Sequence, residues 1–85
     1  MKNVNLITQT INFLDANGFS IDAFYVITFR RDEVVLQAHW DSELYLLATN
    51  VFGNPEVSEM EYVEFRTQIE EAKSKEIINI QIVLT

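Results

Sequence analysis

At 85 residues the chain has the length of one domain, taken as 1–85, whose fold buries only about two-thirds of the unfolded surface. An apolar fraction of 48% and a charged fraction of 22% exclude a disordered chain, despite a net charge of −7. There is no cysteine, which excludes disulfides, thiolate metal sites and cysteine nucleophiles. A small domain without such staples is expected in a reducing cytoplasm. The N-terminal segment is too short and too polar for a signal peptide. No apolar run approaches the ~20 residues that span a bilayer, so no membrane partner is expected.

Val4, Ile7, Ile11 and Leu14 recur at helical spacing, widened by Leu6 and Phe13. They predict a helix over 4–16, with Asn3 as a cap and Asn17-Gly18 as the stop. Phe19 is placed to fold back on Leu14. Residues 23–30 are aromatic and β-branched and predict a strand. The chain reverses at Arg31-Asp32. Val34, Leu36, Ala38 and Trp40 then alternate along a second strand over 33–40.

Between Asp41 and Gly53, Leu44, Leu47, Ala48 and Val51 share a helical face. A strand through Glu43–Thr49 is the rival. The helix is preferred because Asp41 is a good cap and Gly53, with Pro55 beyond it, a good stop. Ser58 to Glu61 matches a capping box, but Val63, Phe65, Thr67 and Ile69 alternate with polar residues. A strand over 60–69 is preferred to a helix, followed by a polar loop over Glu71–Glu76. Ile78, Ile80, Ile82 and Leu84 form the apolar face of a last, core-facing strand.

The order α-β-β-α-β-β predicts a small two-layer α+β domain, with a mainly antiparallel β-sheet and both helices packed on one face.

The chemistry is sparse. His39 is the only histidine, and a general base there would need Asp41 or Glu43 to orient it within a pocket. A polar residue on the outer face of a strand is the simpler reading. One histidine and no cysteine exclude the usual zinc sets, and no calcium-loop pattern is present. Gly18 and Gly53 are both accounted for as helix stops, leaving no phosphate loop. No catalytic residue, metal or cofactor is expected.

Charge is the strongest signal. Between Arg31 and Arg66 there is no Lys or Arg, while Asp32, Glu33, Asp41, Glu43, Glu56, Glu59, Glu61 and Glu64 all fall there. Such a stretch repels nucleic acid and favours a basic protein partner. Glu43, Glu56, Glu59, Glu61 and Glu64 are the expected acidic partner-binding face. The first strand is apolar on both sides, with Phe24 and Val26 on one and Tyr25, Ile27 and Phe29 on the other. If helices cover one face only, Tyr25, Ile27 and Phe29 are expected as an apolar partner-binding face and a site of homo-oligomerisation, joined by Val35, Tyr62 and Val83.

Together these features predict a non-enzymatic, acidic protein-binding module. Its size and charge resemble those of bacteriophage and mobile-element accessory proteins. The alternatives are a nucleic-acid mimic that inhibits a nuclease or DNA-binding protein, and a small enzyme using His39.

Overall fold

Strict alternation of isoleucines places the C-terminal strand at the centre of the molecule. The structure is a computed structural model that describes residues 2–70 and 75–85, with side chains from Leu6 onward. Its elements are α1 (Lys2–Ala16), a 3-10 turn (Ile21–Ala23), β1 (Val26–Arg30), β2 (Glu33–Ala38), α2 (Ser42–Phe52), β3 (Glu56–Val57), β4 (Val63–Glu70) and β5 (Ile77–Leu84). The strands form one five-stranded sheet in the order β1-β2-β5-β4-β3. Neighbouring strands run antiparallel except β2 and β5, which are parallel. The predicted α+β class and element order are observed, with β3 as a short addition.

The register explains the core. Val34, Leu36 and Ala38 pair with Ile80, Ile82 and Leu84. Phe65 and Val63 of β4 lie across from Ile82 and Leu84 on the other side. These residues join Leu6, Leu14, Phe19, Phe24, Leu44 and Ala48 in one apolar cluster. The odd-numbered positions of β5 point the other way, to a face that no helix covers.

Local chemistry sets the helix ends. Phe19 N–H reaches the Leu14 carbonyl at 2.9 Å and Gly18 N–H the Asp15 carbonyl at 3.2 Å, the two bonds of a Schellman end. Gly18 has φ 83°, a conformation glycine adopts at little cost. Asp41 caps α2, its Oδ2 accepting from Leu44 N at 2.9 Å. The α1 start differs from expectation: the helix begins at Lys2, so Asn3 lies inside it. The side chains of Asn3 and Val4 are outside the described residues, as are 71–74 of the expected loop.

Two readings of side-chain direction are corrected. The buried stripe of α1 is Leu6, Thr10 and Leu14, whereas Ile7 and Ile11 are exposed. Thr10 is tolerated inside because its Oγ1 donates to the Leu6 carbonyl at 2.7 Å, leaving no unpaired polar atom. In the first strand, alternation slips at Tyr25. Tyr25 N–H bonds the Gln37 carbonyl at 2.9 Å, although Gln37 is the register partner of Val26. Two residues thus oppose one, as in a β-bulge. Phe24 is therefore buried and Tyr25 exposed, while Ile27 and Phe29 turn to the helix side and pack against the core. The aromatic face expected from Tyr25, Ile27 and Phe29 is split, and the helix-free side of β1 and its neighbours carries Val26, Val35 and Val83 instead.

Replacing Ile80 or Ile82 with Ala is expected to cost ~2–5 kcal/mol through lost burial and a residual cavity. That is most of what a domain near ~5 kcal/mol holds. Urea melts check this, and a loss below ~1 kcal/mol for both would remove β5 from the centre of the core. Asp41→Ala should cost ~1 kcal/mol through loss of the cap. A melting point lowered by ~4–8 °C is the corresponding observation.

Candidate functional site: an acidic hairpin at the sheet edge

The turn joining β3 to β4 is built without glycine. Ser58 N–H bonds the Tyr62 carbonyl and Glu61 N–H the Ser58 carbonyl, each at 2.9 Å. Glu61 follows with φ 64°, in the left-handed region. This is the three-residue hairpin in which a type I turn is completed by a left-handed residue. The Ser58 hydroxyl accepts from Tyr62 N–H at 3.1 Å, so the Ser of the apparent capping box closes a hairpin instead of starting a helix. A side chain at such a φ costs roughly 1–2 kcal/mol, which glycine would avoid.

The hairpin projects both charge and apolar surface. Glu56, Glu59 and Glu61 are exposed. Between them stand Val57 at 68% and Met60 at 72% exposure, the highest of any large apolar residues among those described. Tyr62 at the hairpin's end is also exposed. Isolated apolar residues are ordinary at a surface. Here they alternate with carboxylates on one projecting turn, a composition that packing does not require.

Glu64 behaves differently from the other glutamates. It lies across from Glu56 in the register, a like-charged pair that would repel. Its carboxylate accepts from Gln81 Nε2 and lies 3.3 Å from Arg66 Nη2. With only 19% of its side chain exposed, Glu64 is anchored on the helix-free face, while Glu56 faces solvent. Glu43 lies on another element, exposed in the first turn of α2, where a negative charge complements the helix dipole. The structure thus brings Glu56, Glu59, Glu61 and Glu64 onto one hairpin and leaves Glu43 on the helix layer. Val57, Met60 and Tyr62 complete the surface. Their signal in the sequence was apolar residues falling between turn residues.

Concave regions among the described residues lie elsewhere. On the helix-free face, a groove of about 540 Å³ is lined by Glu33, Arg66, Gln68, Asn79 and Gln81. Its polar groups bond one another, Gln68 Nε2 donating to Asn79 Oδ1 at 2.8 Å. A second cleft of about 400 Å³ is lined by Asp22, Tyr25, His39, Trp40 and Asp41. There the imidazole stacks on the Tyr25 ring, with centroids 4.6 Å apart. The Tyr25 hydroxyl shares a hydrogen bond with Thr85 Oγ1 at 3.3 Å, and the Asp41 carboxylate is engaged by Leu44 N–H. Among the described residues no carboxylate bonds the His39 ring. No group of three or more His, Asp or Glu among them is placed to hold a metal. No helix is long and apolar enough to cross a membrane.

Glu61→Gly should raise stability by ~0.5–1 kcal/mol, the relief of the left-handed conformation less the entropy of glycine. The urea midpoint should rise; an unchanged or lower midpoint would show that the glutamate sits there without cost.

The chain matches no protein-family model, no curated protein and no solved structure.

Proposed function

We propose that this protein is a non-enzymatic protein-binding module that engages a basic partner through the β3–β4 hairpin. The carrying observation is the exposed alternation of Glu56, Val57, Glu59, Met60 and Glu61 on one turn. Carboxylates steer a basic surface toward the hairpin and fix its orientation. Met60, Val57 and Tyr62 provide apolar area, which distinguishes the true partner from any cation. Strain at Glu61 supports the reading, since costly backbone conformations concentrate at functional sites. A cytoplasmic setting accords with a fold that uses no cysteine.

Selection of peptides from a displayed library against the immobilised protein tests this. Enriched sequences should combine Lys or Arg with aliphatic or aromatic residues. A triple variant with Glu56→Lys, Glu59→Lys and Glu61→Lys should bind an enriched peptide at least ~10-fold more weakly, because it reverses the steering field. Its melting point should barely move, since exposed charges contribute little to folding. Met60→Ala should also weaken binding. Loss confined to the charge variant, with a steep salt dependence and no effect of Met60→Ala, would favour imitation of a nucleic-acid backbone. Undiminished binding by the folded triple variant would overturn the proposal.

A further inference from the structure

We infer that the outer edge of β1 is a self-association surface, on which a second copy of this chain continues the sheet in antiparallel register. β1 ends the sheet, so among the described residues no strand pairs with its outer side. The opposite edge is β3, which has only two residues and presents the glutamate-rich hairpin, continued by the outer side of β4 from Phe65 to Glu70, a stretch bounded by Glu64 and Glu70. β1 has five residues, Val-Ile-Thr-Phe-Arg, with no acid among them. In an acidic protein this is the edge that a like-charged copy can approach.

The strand is self-complementary. A two-residue turn, Arg31-Asp32, joins β1 to β2, so Arg30 and Glu33 form the closing hydrogen-bonded pair. Backbone groups then alternate, and the N–H and C=O of Ile27 and Phe29 point away from β2. An antiparallel copy centred on Thr28 uses these free groups, with Ile27 opposite Phe29 of the second copy and Thr28 opposite Thr28. Ile27 and Phe29 are only partly buried on the helix side, and their mutual contact would complete that burial. Neither end opposes pairing by charge: Arg30 and Arg31 are offset by Asp32 and Glu33 at one end, and the other is preceded by Asp22 alone.

A single strand pair is too small for a stable interface, which needs roughly 1,000 Å² in total. α1 supplies further surface. It packs over β1, and α2 packs over β4. Phe13 meets Phe52 of α2 edge to face at 5.9 Å. At 100° per residue, Ile7 and Ile11 fall on the flank of α1 away from α2, beside the free strand edge. Both are exposed, as is Ile21 of the 3-10 turn, which borders the same hollow as Ile11. These isoleucines account for the corrected stripe of α1: apolar residues that the monomer leaves uncovered.

Sedimentation of the full chain at ~100 µM should show a dimer, the concentration being well above micromolar dissociation constants. Amide hydrogen exchange should show Ile27 and Phe29 gaining at least ~10-fold protection between ~5 and ~500 µM, as their N–H groups become paired. The double variant Thr28→Lys with Ile11→Lys places like charges across the two-fold axis and removes apolar area. Ile11 is exposed and Thr28 half-buried on the helix-free face, outside the core cluster, so folding should survive. Its dimer should be at least ~10-fold weaker, from repulsion across the pair and lost burial. A monomer at ~100 µM, or a dimer whose Ile27 and Phe29 amides exchange unchanged, would overturn the inference, as would full dimerisation of the folded double variant. The triple glutamate variant should still dimerise, and the double lysine variant should still bind the hairpin's peptide, so the two proposals fail separately.

Discussion

The parallel junction between β2 and β5 is the constraint on which the fold depends. Two core isoleucines of β5 have a partner on both sides, Ile80 between Val34 and Thr67 and Ile82 between Leu36 and Phe65. The two hairpins, β1–β2 and β3–β4, are local in sequence and can close early. Neither has a complete core without β5, because each contributes only one side of the layer beneath the helices. Parallel strands also need a long crossover. Here the crossover contains α2 and the whole β3–β4 hairpin, so the segment that carries the acidic turn also closes the sheet.

Charge follows from this plan. The helix-covered side of the sheet contains no ionised side chain among the buried residues. On the uncovered side, polar groups satisfy one another: Gln81 and Arg66 hold Glu64, and Gln68 holds Asn79. Anchoring Glu64 reduces its repulsion of Glu56 directly across the ladder. The remaining glutamates of the hairpin then face water at little cost to folding. Their negative field can be strong while their individual contributions to stability stay small. The residues of the proposed partner-binding surface are thereby not those on which stability depends.

The parts legible in the sequence are those governed by local chemistry. Gly18, Asp41 and Gly53 mark helix ends because capping involves residues at most five apart. β5 is legible because period two is unambiguous when every second residue is Ile or Leu. What was not legible depends on distant partners. A bulge at Tyr25–Val26 is invisible in a run where every residue is apolar or aromatic, and it reversed the faces expected for Ile27 and Phe29. Thr10 carries no apolar signal, and its place in the buried stripe of α1 rests on its hydroxyl donating to the Leu6 carbonyl. The hairpin at Ser58–Tyr62 resembled a helix start because its left-handed position is held by Glu61, where glycine would have announced a turn. The acidic cluster was legible as composition, but its placement on one hairpin, with Glu43 elsewhere, required the register.

The two sheet edges show how one small domain can keep separate surfaces apart. Five strands leave two open edges, and each is a hazard for uncontrolled pairing. On the far side β3 offers only two residues, and the outer side of β4 beyond it lies between Glu64 and Glu70, so charge limits the hazard there. At β1 neither length nor acidic charge guards the edge, and the bulge at Tyr25–Val26 lies before Ile27 to Phe29, which stay open and are flanked by exposed isoleucines. A protein with net charge −7 already resists approach over most of its surface. The proposed self-pairing is thereby confined to that edge and its symmetric mate. Pairing there would set the acidic hairpins at the two far ends of one continuous sheet. A partner with two basic sites at that spacing would then bind more tightly than a single hairpin allows, without any new contact.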